Sequence, residues 1–171
     1  MTQNNRLEII KEAERIEEDS LYSARGHFTA ASELNAVHYI IGGATSVLAA
    51  ISGASVISQF GNYILVSGTL GIMVTALIAI MTLVNPNKQA NNHLISGNEY
   101  NSLKNRARIF YKIEIDLIKS DDELRKGIKE LAKERDELNK KNPQIPEWAY
   151  EKAKRRIEAG EAVYKADNEE E

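Results

Sequence analysis

The stretch AVHYIIGGATSVLAAISGASVISQFGNYILVSGTLGIMVTALIAIMTLV, residues 36–84, decides the fold of this chain. It lies inside a run of 54 residues, 34–87, that contains no Asp, Glu, Lys or Arg. Two apolar segments of 22 residues each, 36–57 and 63–84, are long enough to cross the hydrocarbon core as helices of about 33 Å. Because the link at 58–62 holds only five residues, the two spans must be antiparallel. The sequence therefore predicts a transmembrane hairpin.

Charged side chains are confined to two arms on either side of this stretch. Residues 1–33 carry four basic and seven acidic side chains, and residues 88–171 carry eighteen of each. The formal net charge of −3 gives no basic signature for nucleic acid. Arg25 precedes the first span, Lys88 follows the second, and the link carries neither residue type. The positive-inside tendency therefore predicts that both arms and both termini lie in the cytoplasm and that the link is external.

Several classes of function are disfavoured by what the sequence lacks. There is no cysteine, so the chain has neither a disulfide framework nor a thiolate zinc site. The first thirty residues are acidic and contain no apolar h-region, so no cleavable signal peptide is visible. Catalytic signatures such as HExxH, GxxxxGK(S/T) and G-x-S-x-G are absent. We expect a protein that is not an enzyme and that holds no cofactor or metal ion.

Both arms have helical patterns. The first arm, 1–35, places apolar residues three or four positions apart, which predicts an amphipathic helix that continues into the first span. The second arm, 85–166, begins where Asn85-Pro86-Asn87 ends the second span, and the acidic tail, 167–171, is expected to fray. The predicted fold is an all-α membrane protein with a two-helix transmembrane hairpin and long cytoplasmic helical arms.

The second arm contains a heptad-like apolar series that predicts coiled-coil-like packing. Its members are Ile109, Ile113, Leu117, Leu124, Ile128, Leu131 and Leu138. Ser120 and Glu123 match a capping box, which leaves open whether one rod or two helices carry the series. Asn142-Pro143-Gln144-Ile145-Pro146 breaks the chain, and a last helix is expected from Glu147 to about Tyr164.

Small residues recur every four positions in both spans, as in Gly42, Ser46 and Ala50. Such stripes let helices approach closely in lipid, so we expect a homo-oligomer, with a tetramer as the first guess. The candidates for helix packing or pore lining are Gly42, Thr45, Ser46, Ala50, Ser52, Gly53, Ser67, Gly71 and Thr75. Their hydroxyls either line a polar path in the oligomer or donate to the carbonyls four residues earlier. The alternative to a membrane hairpin is a pair of helices buried in a soluble core.

The residues just before the first span form a candidate coupling segment, Tyr22, Arg25, Gly26 and His27. Here a charged helix changes to small residues and then to the apolar span. His27 lies nine residues before the first span and His93 nine after the second, so a hairpin places both at a similar depth. They belong either to a metal-binding or pH-sensing ring in an oligomer, or to unrelated interfacial positions.

Basic residues cluster with aromatic residues at two places in the second arm. One cluster holds Lys104, Arg106, Arg108 and Lys112 with Tyr100 and Tyr111, and the other holds Lys152, Lys154, Arg155 and Arg156 with Trp148 and Tyr150. Cations and aromatic faces together suit a nucleotide ligand. The candidates for phosphate contact are Tyr100, Lys104, Arg108, Arg155 and Arg156. Solvated helix faces with glutamate partners account for the same pattern.

The layout and three motifs resemble the SLATT family, the SMODS- and SLOG-associating two-transmembrane effector domains of bacteria. The motifs are ERIEEDSLYSARGHF at 14–28, LVNPNKQANNHLISGNEYNSLKNRARI at 83–109 and IPEWAYEKAKRRIEAGEAVY at 145–164. The resemblance implies a pore-forming effector of the bacterial inner membrane in an antiphage system. It also implies control by a nucleotide or oligonucleotide signal, acting directly or through a partner, and a neighbouring nucleotidyltransferase. Such an effector depolarises the membrane and stops growth or kills the infected cell.

Two functions therefore remain open. The first is an oligomeric ion-conducting effector whose cytoplasmic helices control the spans in the lipid bilayer. The second is a membrane-anchored coiled-coil scaffold that recruits a soluble partner through 109–138 and conducts no ions. The two hypotheses differ in whether the hairpin itself carries the activity.

Overall fold

The computed structural model describes residues 3–57 and 63–164 of the chain. All regular structure in these residues is helical: α1 Gln3–Ile57, α2 Tyr63–Val84, α3 Pro86–Ile109, a π-helical turn Phe110–Glu114, α4 Ile115–Leu117, α5 Asp121–Lys141 and α6 Glu147–Glu158. The prediction of an all-α chain with two long apolar helices is confirmed. The expected external link and the acidic tail lie outside the described residues.

The chain divides into two compact units. Residues up to Ala30, together with those from Asn92 onward, form the arm unit, and residues Ala31–Asn91 form the hairpin unit. The expected boundary between residues 35 and 36 lies inside the single helix α1. α1 and α3 therefore each contribute residues to both units.

The arm unit has a conventional apolar core built by α1, α3 and α5. Ile16 of α1, Leu103 of α3 and Leu124 of α5 are fully buried in it. α6 adds Ala149 and Ala153, which are small enough for a helix to pack closely. Burying large apolar side chains stabilises such a core by about 1.5–3 kcal/mol each. The hydrophobic effect therefore holds the arm unit together.

Only the second half of the heptad-like series packs into the core of the arm unit. Leu124, Leu131 and Leu138 of α5 are buried in the core, whereas Ile113 and Leu117 are 57% and 73% exposed. The cause is the π-helical turn Phe110–Glu114, which inserts extra backbone into the helical repeat and rotates the following side chains. Phe110 and Ile115 are buried as a result. Ile109 is also exposed, so the first three members of the series take no part in the core of the arm unit.

The expected helix boundaries at the two breaks occur for identifiable reasons. Ser120 caps α5 by accepting a hydrogen bond from the backbone N–H of Glu123 at 3.4 Å, so the capping-box alternative is the one adopted. Asn85 has a left-handed backbone with φ of 44°, which ends α2, and its side chain accepts from the backbone N–H of Lys88 at 3.2 Å. The last helix is shorter than expected and ends at Glu158.

The hairpin unit exposes apolar surface instead of burying it. None of the apolar window of the first candidate span is buried, and only 6% of that of the second is buried. Ile40, Ile72 and Leu83 are 70%, 73% and 85% exposed. A pair of helices in a soluble core would be mostly buried, so the soluble alternative does not account for this unit. Both helices are long and apolar enough to cross a membrane.

Candidate functional site

The two apolar helices are joined by a pair of reciprocal serine hydrogen bonds. Ser52 of α1 donates its hydroxyl to the carbonyl of Ser67 at 3.0 Å, and Ser67 of α2 donates to the carbonyl of Ser52 at 3.3 Å. Gly71 lies one turn further along α2, where an added Cβ would be 3.9 Å from the Ser52 hydroxyl. Small residues therefore allow the backbones to approach closely enough for side chain to backbone bonding across the hairpin.

The packing and pore-lining candidates divide between two faces of the hairpin. Those that are buried or half-buried within it are Gly42, Thr45, Ser52, Ser67 and Gly71. Those that are exposed on its outside are Ser46, Ala50, Gly53 and Thr75. Within the first group, Ser52, Ser67 and Gly71 pack the two helices of one chain together. Gly42, where an added Cβ would meet nothing within 4 Å, and Thr45 instead border a cavity. The second group is available for contact with lipid or with another copy.

Most hydroxyls in the spans adopt the simpler of the two expected arrangements. Six of them donate to the carbonyl four residues earlier, at 2.7–2.9 Å: Thr45, Ser46, Ser55, Thr69, Thr75 and Thr82. This arrangement satisfies the hydroxyl proton without a neighbouring helix, which is what a hydroxyl in hydrocarbon requires. The oxygen of each retains the capacity to accept a hydrogen bond.

A cavity of about 400 Å³ lies within the hairpin unit near the end of α2. His38, Gly42 and Thr45 of α1 border it from one side, and Met81 and Thr82 of α2 border it from the other. The Nδ1 atom of His38 is buried and has no hydrogen-bond partner among the residues that the structure describes. Since ionisable residues are rare inside membrane spans, His38 is the most unusual polar group of the hairpin.

The coupling segment is packed into the arm unit along one side of α1. Gly26 is buried, and an added Cβ would be 3.0 Å from Cγ2 of Ile145, so the glycine permits a close approach of the 142–146 connection. The ring of Tyr22 lies 6.3 Å from that of Tyr150 on α6. Arg25 points into solvent. Tyr22 therefore lies beside α6, Gly26 packs against the connection that precedes α6, and His27 is buried in the arm unit.

His27 and His93 form a buried pair within one chain. Their Nδ1 atoms are 2.8 Å apart, and the two side chains are 1% and 5% exposed. His27 also stacks on Tyr100 with 5.4 Å between ring centroids. At this distance one imidazole donates its proton and the other accepts, so the pair holds one shared proton between the two Nδ1 atoms. Burial, and secondarily the neighbouring His93, lower the pKa of His27 to about 4, and burial also lowers the pKa of His93.

The first basic cluster is covered by a tyrosine from the end of the described chain. Lys104 donates to the hydroxyl of Tyr164 at 2.9 Å, and the guanidinium of Arg108 lies 4.7 Å from the centre of the same ring. The hydrogen bond from Lys104 lowers the pKa of Tyr164. In the second cluster, Arg156 pairs with Glu161 and Arg155 is exposed. Of the five phosphate candidates, Lys104 and Arg108 therefore meet at the ring of Tyr164.

A second cavity of about 400 Å³ lies in the arm unit, and Tyr100 is the only phosphate candidate that borders it. Its walls are Glu18, Asp19, Ser20, Tyr22 and Ser23 of α1, Tyr100 of α3, Arg135 and Asn139 of α5, and Tyr150 and Lys154 of α6. Tyr150 and Lys154 belong to the second basic cluster of the sequence, but they are not among the candidates for phosphate contact. Ser20 belongs to the helical series of the first arm, which indicates packing and not a ligand, and Arg135 and Asn139 carry no sequence signal, because only the fold brings the three residues together.

Neither a metal-binding arrangement nor a similar known protein assigns a function to this chain. Among the residues that the structure describes, no group of three or more His, Asp or Glu side chains is arranged to hold a metal ion. Comparison of the chain with protein-family models, curated proteins and solved structures gave no match. The functional argument therefore rests on the hairpin and on the two cavities.

Proposed function

We propose that this protein is a pore-forming, ion-conducting effector of the bacterial inner membrane that acts as a homo-oligomer, with both termini in the cytoplasm. Its place is an antiphage abortive-infection system under nucleotide control, as the resemblance to the SLATT family suggests. A nucleotide or oligonucleotide, made by a neighbouring nucleotidyltransferase, triggers it directly or through a partner. The outcome is membrane depolarisation followed by growth arrest or cell death. No chemical reaction is assigned to the chain.

The observation that carries this proposal is the set of bare backbone positions on the outside of the hairpin. An added Cβ at Gly43, Gly53 or Gly68 would meet nothing within 4 Å, and all three residues are exposed. In contrast, Gly71 faces Ser52 inside the same chain. Glycines that do not serve packing within one subunit are suited to close contact with a neighbouring one. A ring of such hairpins brings the outward hydroxyls of α2 toward other subunits.

Control of the pore is assigned to α1, because it is one helix through the coupling segment and the first span. A movement of the arm-unit part of α1 is therefore transmitted along a continuous backbone. Gly26→Leu tests this role, since the larger side chain collides with Ile145. Gly26→Leu combined with Ile145→Ala is the matched variant, because it restores space. We expect altered gating in the single variant and recovery in the double variant; normal gating in the single variant refutes the coupling role.

Bilayer reconstitution of the purified protein tests conduction directly. We expect discrete currents with the native hairpin and none when an unrelated two-span hairpin replaces residues 36–84. Nucleotides, cyclic oligonucleotides and a neighbouring nucleotidyltransferase are added in turn as triggers. Absence of current under every condition overturns the pore proposal.

Assembly has its own test at a residue that a single subunit does not need. Gly43→Leu places a bulky side chain on the bare outer face, and we expect a smaller oligomer in detergent because close approach is blocked. Val47→Leu is the matched control, since Val47 is already a 60% exposed apolar residue on the same helix. Equal oligomer sizes for both variants contradict the packing argument. Gly42→Leu extends the test to the stripe of the first span, whereas Gly71→Leu also disturbs the contact with Ser52 within one chain.

The scaffold alternative loses part of its expected surface. Leu124, Leu131 and Leu138 are buried within the arm unit and are not available to a partner. What remains on the surface is the exposed trio Ile109, Ile113 and Leu117. A scaffold retains activity after the hairpin exchange described above, whereas a channel loses it.

A further inference from the structure

We infer that the cavity of the arm unit is a binding site for a small zwitterion with a planar or aromatic side chain, a ligand of the α-amino acid class. Its volume of about 400 Å³ falls in the range of small-molecule sites and suits a ligand of this size. The inference is independent of ion conduction, because binding is measured on detergent-solubilised protein.

Unsatisfied polar groups in the cavity wall provide the first argument. Ser20 is 1% exposed, borders the cavity, and its hydroxyl has no hydrogen-bond partner among the residues that the structure describes. A buried hydroxyl without a partner costs about 1–3 kcal/mol, so such groups are usually satisfied by a ligand or water. Asn139 accepts from the hydroxyl of Tyr100 at 2.8 Å through its carbonyl oxygen, which leaves the amide N–H groups free to orient toward a ligand.

Arg135 provides the second argument, because three carboxylates balance its charge but none of them lies close enough for a charge-assisted hydrogen bond. Its guanidinium lies 3.7 Å from Glu12, 3.5 Å from Asp19 and 3.8 Å from Asp136. These separations are longer than the 2.7–2.9 Å of charge-assisted hydrogen bonds. A planar carboxylate suits the guanidinium geometry and can form two parallel bonds with it. Lys154 supplies a second cation on the α6 side of the cavity.

The charge balance of the walls determines the class of ligand. Two carboxylates, Glu18 and Asp19, border the same cavity as the two cations Arg135 and Lys154. Glu12 and Asp136 add negative charge beside Arg135 from outside the cavity wall. A ligand with several phosphates would meet repulsion from the carboxylates, whereas a zwitterion presents an ammonium group to them and a carboxylate to the cations. The tyrosine rings of Tyr22 and Tyr150, 6.3 Å apart and inclined by 36°, offer aromatic surface to the remaining side chain.

Matched probes test each part of this assignment. Calorimetric titration of the solubilised full chain uses L-phenylalanine, 2-phenylethylamine, which lacks the carboxylate, and 3-phenylpropionate, which lacks the ammonium group. We expect L-phenylalanine to bind and each analogue to bind about tenfold more weakly, since each loses a charge-assisted contact. The other proteinogenic amino acids are titrated in parallel to define the preferred side chain. AMP is titrated as the nucleotide comparison. Binding by none of the amino acids overturns the inference, as does tighter binding of AMP or of either singly charged analogue.

Variants of α6 locate the binding in the cavity. Lys154→Gln removes the cation that borders the cavity, and we expect about tenfold weaker binding of the amino acid. Lys152→Gln, on the same helix but outside the cavity wall, is the matched control and is expected to bind as the native protein does. Tyr150→Leu keeps apolar bulk while removing the aromatic face, so it tests the side-chain contact without relying on the charges. Equal affinity in all three variants places the ligand elsewhere and refutes the site.

Discussion

Acidification is expected to destabilise the arm unit through the buried histidine pair. The two Nδ1 atoms, 2.8 Å apart, share one proton, and protonating the accepting ring places two N–H groups against each other. The pKa of His27 falls from the ordinary 6.5 to about 4, so the folded state binds this proton less readily than the unfolded state. The stability contributed by neutral His27 is therefore fully present above pH 6.5 and is lost as the pH falls from there toward 4.

The size of this effect follows from the pKa difference. At about 1.36 kcal/mol per unit of pKa, His27 alone contributes a maximum of about 3 kcal/mol, of which about 2 kcal/mol is lost between pH 7 and pH 5. The lowered pKa of His93 acts in the same direction. For a chain of this size, a change of about 2 kcal/mol corresponds to a shift of roughly 5 °C in the unfolding temperature.

Thermal unfolding of the solubilised protein between pH 5 and pH 7.5, followed by circular dichroism, measures this effect. We expect the unfolding temperature to fall on acidification in the native chain and to depend much less on pH in His27→Gln. His38→Gln is the matched control, because it removes an imidazole outside the pair and keeps the native pH response. An equal response in His27→Gln and the native chain refutes the assignment of the pH dependence to the pair.

Three further outcomes are expected from contacts in the structure. Gly97→Ala places a Cβ 2.6 Å from the ring of Phe28, so it is expected to lower the free energy of unfolding of the arm unit by about 2 kcal/mol, as measured by chemical denaturation. Gly53→Ala, where the added Cβ meets nothing within 4 Å, is the control and leaves the stability of that unit unchanged. Ser52→Cys with Ser67→Cys is expected to cross-link within one chain under mild oxidation, because the two residues exchange hydrogen bonds, while failure to cross-link contradicts the hairpin register. Tyr164→Ala removes both the hydroxyl and the ring beside Lys104, so it is expected to uncover Lys104 and to increase its reactivity toward amine reagents, as peptide mapping would show; unchanged reactivity excludes the covering role.

The sequence predicts the two apolar helices and several helix boundaries, but not which side chains of the second arm are buried. The absence of charge over 34–87 predicted both long helices, and α2, Tyr63–Val84, coincides with the expected second span. Ser120 and Asn85-Pro86 marked real helix boundaries because capping and turn chemistry act locally. The π-helical turn at Phe110–Glu114 had no sequence signal, since extra residues in a helical repeat are accommodated by packing partners far along the chain.

The residues of the candidate site were even harder to predict from the sequence, because they come from several helices. Spacing along α6 placed Tyr150 and Lys154 together, but their cavity also needs Ser20 of α1 and Arg135 of α5, which are distant from them in sequence and have no pattern that points to a ligand. Likewise, equal distances from the spans suggested that His27 and His93 occur at one depth, yet only the fold establishes direct contact between them within one chain. Local motifs report helix ends, whereas binding groups depend on which helices become neighbours.

Glycine has opposite uses in the two units, and this difference supports assembly through the hairpin. In the arm unit, Gly97 and Gly127 lie against the rings of Phe28 and Phe110, where an added Cβ would be within 2.6 Å of a ring atom. These glycines are explained by packing inside one chain. In the spans, Gly53 and several other glycines face nothing within 4 Å, although glycine in a helix interior costs about 1 kcal/mol relative to alanine. A cost without a benefit inside one chain supports the proposed homo-oligomer, in which these positions would contact another subunit.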